Sequence, residues 1–199
     1  MDAIDYYNKY AAKIFEETVE EEVEEEFREE FLSYLEEGDA ILDLGCGSGR
    51  DSLDFYERGY DVTPLDGSEE MCRLAEVHTD LEVLCERYED MDFDDAFEGV
   101  WARAAFIHVP KEEIRDILAK VKNALTKNGV FYTSVCEGEF EGISGELYFT
   151  DYEKEEIKDL LEECGFQILN VWEVRDEEIR RGYEGNGGIH VLARKKSAY

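Results

Sequence analysis

Positive charge, proline and histidine are scarce in this chain, and it contains no long apolar run. Its 199 residues hold 21 Lys and Arg against 52 Asp and Glu, a formal net charge of −31 at pH 7. So acidic a surface repels a phosphate backbone at long range, which argues against DNA or RNA as substrate. It suits a small or cationic substrate, or a basic protein partner; solubility or a salty cytoplasm is the commoner reason for such a charge. No apolar stretch approaches the ~20 residues of a membrane span. The opening M-D-A-I-D-Y-Y has neither the basic nor the apolar region of a signal peptide. Cysteines 46, 72, 85, 136 and 164 form no C-x-x-C pair and read as reduced thiols of a cytoplasmic protein. Histidines 78, 108 and 190 lack ligand spacing, so no metal site is expected. There is no internal repeat and no flexible linker, and the length fits one domain burying about 70% of its unfolded surface.

What is present concentrates between Ala40 and Asp51, A-I-L-D-L-G-C-G-S-G-R-D. An apolar run (Ile41, Leu42, Leu44) meets three glycines, Gly45, Gly47 and Gly49, after which Ser48, Leu53, Phe55 and Tyr56 signal a helix start. A strand bending into a helix this way turns several backbone N–H groups toward a ligand. The glycines let the chain adopt left-handed dihedrals and let that ligand approach the backbone. A dinucleotide pattern, G-x-G-x-x-G, would place glycine where Arg50 stands. Here the pattern is D-L-G-x-G-x-G, with an acid, Asp43, two residues before the first glycine, and a second acid, Asp66, closes the next apolar run before Gly67. Carboxylates beside the turn suit a ligand with positive charge and vicinal hydroxyls better than a pyrophosphate.

The D-L-G-C-G-S-G segment together with Asp66 resembles the class I S-adenosylmethionine-dependent methyltransferases. It is similar to their small stand-alone bacterial members, loosely grouped as tellurite-resistance-like or methyltransferase-domain proteins. The resemblance runs from about Tyr6 to about Lys195. It implies S-adenosylmethionine as cofactor and S-adenosylhomocysteine as product. The turn at Gly45, Cys46, Gly47 and Gly49 would cradle methionine and ribose. Asp66, followed by Gly67 and Ser68, would bind the ribose hydroxyls, and Asp43 would orient the methionine amine. By position, Arg87, Tyr88 and Glu89 fall against the adenine, with Arg87 where many relatives carry an acid. Tyr88 either stacks on the ring or fills a core gap. Arg103 and Ala104 end the fourth strand on the cofactor side; Arg103 either holds an anionic group in the pocket or pairs with an acid. His108 is the candidate catalytic base, its alternative role being to shape the loop before Pro110. Tyr6 and Tyr7 resemble a Y-Y pattern that folds over the cofactor, and the same spacing would serve an aromatic face packed on the sheet. Tyr7, His108, Tyr148, Arg181 and Tyr183 are the candidate acceptor-side residues, with Cys136 and Phe149 beside them.

Residues 5–37 read as helical, within an N-terminal cap at 1–37 of a single domain spanning 1–199. Glu16 to Glu37 contains twelve glutamates and one arginine, Arg28. Val19, Val23, Phe27 and Phe31 recur at four-residue steps as one apolar seam, and the acidic remainder is a solvated face or a docking surface for a basic partner. Strands are expected near 40–45, 60–65, 81–85, 97–103, 129–136, 166–174 and 189–195. Helices are expected near 48–58, 68–77, 111–125 and 151–164, with Asn128-Gly129 ending the third. The alternation predicts an α/β doubly wound sheet with ligands beyond the carboxyl ends of its strands. The resemblance adds the Rossmann-like, seven-stranded order 3-2-1-4-5-7-6 with an antiparallel last strand. Loops at 104–110, 136–150 and 175–188 then shape the acceptor pocket. The expected activity is methyl transfer to a small-molecule acceptor by in-line displacement. Alternatives are a non-catalytic cofactor-binding module acting through the acidic helix, methylation of a protein, or a nicotinamide oxidoreductase, the last disfavoured by Arg50.

Overall fold

The computed structural model describes residues 2–21, 25–175 and 187–197. Two helices, α1 (Ala3–Thr18) and α2 (Glu25–Leu32), precede an alternating region. That region runs β1 (Ala40–Leu44), α3 (Arg50–Glu57), β2 (Asp61–Asp66), α4 (Glu69–Thr79), β3 (Leu84–Cys85), β4 (Phe97–Ala102), α5 (Ile114–Ala124) and β5 (Leu125–Glu137). The hairpin β6 (Glu141–Ser144) and β7 (Leu147–Tyr152) follows, then α6 (Lys154–Glu163), β8 (Phe166–Val174) and β9 (Gly188–Lys195). Strands β3-β2-β1-β4-β5 pair in parallel; β9 joins β5 antiparallel and β8 pairs antiparallel with β9. Counting only these seven strands, the order is the expected 3-2-1-4-5-7-6.

Alternation along the strands divides the core between two faces, since successive side chains point opposite ways. Leu42, Leu44, Val100, Ala102 and Phe131 meet α5 and α6, whereas Ile41, Trp101, Val130 and Tyr132 meet Phe27 and Phe31 of α2 and Phe55 of α3. Trp101 and Tyr132 face each other across the β4–β5 register with ring centroids 3.7 Å apart. Phe31 packs so closely over Gly99 that a Cβ there would lie 2.6 Å from its ring.

Three expectations need correction. The helix over 5–37 is not continuous. The Arg50 guanidinium donates to the carbonyls of Thr18 (3.4 Å) and Glu21 (3.3 Å), groups that further helix would have used. Crowded glutamates add repulsion at the same point. The 136–150 region is largely a hairpin: β7 pairs in parallel with the end of β5, and β6 extends it. Its two-residue turn, Gly145-Glu146, has Gly145 at φ 64°, a glycine-first hairpin signal the sequence carries. Finally, α5 stops at Ala124, and Asn128-Gly129 already lies within β5.

Candidate functional site

The carboxyl ends of β1, β2 and β4 open onto a cavity of about 1380 Å³, roofed by α1 and walled by the β6–β7 hairpin. At its floor the chain leaving β1 is tied to β2 by the N–H groups of Gly45 and Cys46, both donating to the Leu65 carbonyl (2.8 and 3.0 Å). Gly45, Gly47 and Gly49 have φ of 74°, 56° and 78°, the left-handed region that side chains rarely adopt. A Cβ on Gly45 would also sit 2.6 Å from the Tyr88 hydroxyl, whereas none on Gly47 would meet anything within 4 Å. Gly47 thus presents bare backbone to the cavity. Gly49 does not line it; it caps α3 and lies against Thr79 and Ala75 of α4.

Asp66, at the end of β2, accepts from the Gly47 N–H (3.0 Å) and the Ser68 N–H (2.9 Å). Burial raises its pKa, and these backbone donors oppose the rise. Asp43 accepts from the Ser52 hydroxyl at 2.5 Å. Burial, then the nearby Asp51 carboxylate, push it up to about 7. Asp51 is held below its ordinary value. Burial is the largest influence and raises it, but Arg50, Arg103 and the Trp101 indole N–H together prevail. Burial beside Asp66 and Asp43 drives the Cys46 thiol far up, so it is a poor nucleophile.

Tyr6, Asp43, Gly45, Cys46, Gly47, Asp66, Gly67, Ser68, Arg87, Tyr88, Glu89, Arg103 and Ala104 all line this cavity, as do Tyr7, His108 and Tyr148. Arg87 sits at the rim, paired with Asp2 (3.2 Å) and Glu89 (3.6 Å). The Tyr88 ring stands edge-on to Phe106 and packs against the main core, with its hydroxyl over Gly45. Arg103 pairs with Glu21 at 3.7 Å. Ala104 takes a left-handed φ of 52°, and its N–H donates to the Ser134 hydroxyl (2.8 Å). Cys136 is not on the cavity wall; it is buried with Ile107, Leu147 and Phe149. Arg181 and Tyr183 lie outside the described residues.

At the acceptor end, His108 Nδ1 lies 2.7 Å from the Tyr148 carbonyl. A carbonyl only accepts, so Nδ1 carries the proton, and in the neutral tautomer that this fixes, Nε2 is the acceptor. The Tyr7 hydroxyl is 3.3 Å from that Nε2. Phe149 tilts against His108 with 4.7 Å between centroids, and Tyr6 lies edge-on to Tyr7 at 6.0 Å and tilted against Tyr10 at 4.7 Å.

Several contributors have no local sequence signal. Asn8 of α1 accepts from the Ser68 hydroxyl (2.7 Å) and the Glu70 N–H (3.2 Å), docking the roof onto the start of α4. Ile4 covers Gly67, and Tyr10 with Lys9 reaches Glu146 in the hairpin turn. Arg50, the residue that interrupts a dinucleotide pattern, binds Asp51 (3.2 Å) and Glu21 (3.1 Å), joining the segment after α1 to the glycine turn. Among the described residues no group of three or more His, Cys, Asp or Glu is arranged to hold a metal ion. No described helix is long and apolar enough to cross a membrane.

Residues 41–129 match the family described as a methyltransferase domain. An uncharacterized methyltransferase of Staphylococcus carnosus is 30% identical over 89 residues, 45% of this chain and 43% of that protein. The chain thus spans under half the length of that curated relative. A methyltransferase structure from Methanosarcina mazei, described as S-adenosylmethionine-dependent, is 24% identical with a TM-score of 0.75, over 83% of this chain and 96% of that one. The 1,6-didemethyltoxoflavin-N1-methyltransferase of Burkholderia thailandensis, solved with 1,6-didemethyltoxoflavin and S-adenosylhomocysteine, is 20% identical with a TM-score of 0.72, over 99% and 92%. Residues 41–129 thus resemble a methyltransferase domain, and the chain has the fold of the solved S-adenosylmethionine-dependent methyltransferase structures.

Proposed function

We propose that the protein transfers a methyl group from S-adenosylmethionine to a small-molecule acceptor. The observation that carries this reading is one continuous cavity, with the bare left-handed glycine turn and Asp66 at one end and the Tyr7–His108 pair at the other. The residues present fit the cofactor. Asp66 keeps acceptor capacity for two ribose hydroxyls beyond its bonds to Gly47 and Ser68. Asp43, buried and poised near neutrality, suits the methionine ammonium. Arg87, Tyr88 and Glu89 border the adenine side.

When bound, the cofactor supplies an electrophilic methyl carbon on a positively charged sulfur. The protein's part is alignment and exclusion of water, and alignment alone can be worth ~7–11 kcal/mol. Helix α1 supports this by laying Ile4, Tyr6 and Tyr7 across the cavity. The 1,6-didemethyltoxoflavin bound by the Burkholderia neighbour supports a small acceptor, and the net charge of −31 disfavours a nucleic acid. The acidic face of α2 is partly engaged within the molecule, since Glu25 and Glu29 both bind Arg58. That favours catalysis over a module acting through this face.

Calorimetry with S-adenosylmethionine and S-adenosylhomocysteine tests the reading; both are expected to bind in the micromolar range. The variant Asp66→Ala loses hydrogen bonds to a charged acceptor worth ~1.5–3 kcal/mol each, so its Kd should rise at least about tenfold. Absence of binding to the wild type would overturn the proposal, and unchanged affinity in the variant would overturn the ribose assignment.

A further inference from the structure

From the acceptor end of the cavity we infer the substrate class: a flat, uncharged aromatic or heteroaromatic molecule whose weakly acidic O–H or N–H gives its proton to His108 Nε2. The inference rests on the methyl-transfer reading and narrows it.

Three independent features converge. First, the Tyr148 carbonyl holds the Nδ1 proton at 2.7 Å, which fixes Nε2 as the proton-accepting atom. The Tyr7 hydroxyl, 3.3 Å away, marks where a substrate O–H or N–H can approach the same lone pair. An imidazole ordinarily exchanges its proton near neutral pH. Second, the walls are rings. Tyr7 lies edge-on to His108 at 5.8 Å, Phe149 tilts against it at 4.7 Å and Tyr6 lies edge-on to Tyr7 at 6.0 Å, all on the cavity wall, and aromatic surfaces of this kind favour a ring packed edge-on or offset. Third, among the described residues that line the cavity, the cations come paired. Each Lys or Arg lining the cavity is paired with a carboxylate: Lys13 with Glu17 (3.9 Å), Arg50 with Asp51 (3.2 Å), Arg87 with Asp2 (3.2 Å) and Arg103 with Glu21 (3.7 Å). Glu146 adds negative charge beside Tyr10. A carboxylate or phosphate on the acceptor would meet repulsion from these carboxylates.

In the transfer, the acceptor heteroatom's bond to hydrogen breaks and the proton moves to Nε2. The electron pair so released forms the new bond to the methyl carbon. The carbon–sulfur bond breaks with its pair remaining on sulfur, and the positive charge passes from sulfonium to imidazolium.

The test uses the whole protein saturated with S-adenosylhomocysteine and 7-hydroxycoumarin as probe, because absorbance separates its phenol from its phenolate. The wild type should bind the probe and raise its phenolate fraction severalfold over free solution at the same pH. His108→Asn keeps an N–H for the Tyr148 carbonyl but lacks the base. It should hold the probe within about threefold of wild-type affinity while losing the phenolate signal. Benzoate, a flat anion without a transferable proton, should bind at least about tenfold more weakly. Benzoate binding as tightly, a phenolate signal surviving in His108→Asn, or no probe binding to protein that does bind S-adenosylhomocysteine would each overturn the inference. Failure to bind S-adenosylhomocysteine at all would strike the methyl-transfer reading instead.

Discussion

Gly45 and Gly47 share a left-handed backbone but differ in what surrounds them, and that difference can be measured. For either residue, replacement by alanine strains the turn by ~1–2 kcal/mol. At Gly45 the new Cβ must also displace the Tyr88 hydroxyl 2.6 Å away, whereas at Gly47 it meets open space. In urea unfolding Gly45→Ala should therefore cost ~1 kcal/mol or more beyond Gly47→Ala. Equal losses would mean that Tyr88 yields freely. Asp43 carries a second prediction, because its carboxyl is raised from 3.8 to about 7 in the fold. Folded protein keeps a proton that the unfolded chain releases once pH exceeds 3.8, so stability falls as pH climbs from there to about 7. Asp43→Asn retains an acceptor for the Ser52 hydroxyl and has no proton to lose. Its stability relative to wild type should rise between pH 5 and pH 8, read from urea midpoints at each pH. A constant difference across that range would show Asp43 titrating as an ordinary carboxylate. Both residues stand out in the sequence as an acid and a glycine at a strand end. The Tyr88 hydroxyl over Gly45 and the Asp51 charge beside Asp43 do not, since each arrives from another element.

Among the elements, α1 decides whether the cavity is closed. It is held near its middle, through Asn8 to Ser68 and Glu70 and through Tyr10 and Lys9 to Glu146. Asn8→Ala removes two hydrogen bonds worth ~1 kcal/mol each. Amide exchange over residues 3–18 should then speed up about tenfold, with S-adenosylhomocysteine restoring part of the protection. Exchange that stays the same would show the aromatic contacts alone keep α1 in place. The amphipathic spacing that predicts this helix says nothing of what it covers. Its end at Thr18 is likewise invisible locally, because the guanidinium that takes its last carbonyls belongs to Arg50. The β6–β7 hairpin was more accessible: Gly145-Glu146 between alternating apolar residues is a short-range signal. Its pairing with β5 and with the 104–110 loop, through Thr150 to Ile107 and Val109, was not.

For the molecule as a whole, a net charge of −31 sets a self-repulsion that salt relieves. The screening length shrinks from roughly 14 Å near 0.05 M to ~3 Å at 1 M, while buried pairs such as Arg28–Asp51 are screened far less. Raising KCl across that range should increase Tm by about 4 °C or more in a thermal melt. A falling Tm would mean that surface ion pairs outweigh the repulsion. By itself the sequence determined the alternation of strands and helices, the two core faces and the glycine turn flanked by acids. These follow from side-chain periodicity and backbone sterics, which act over a few residues. Only the tertiary structure decided that Tyr7 meets His108 across 101 positions, that Arg50 ends a helix 32 residues earlier, and that Glu21 neutralises Arg103. Such partners depend on how elements cross in space, and no local pattern encodes that geometry.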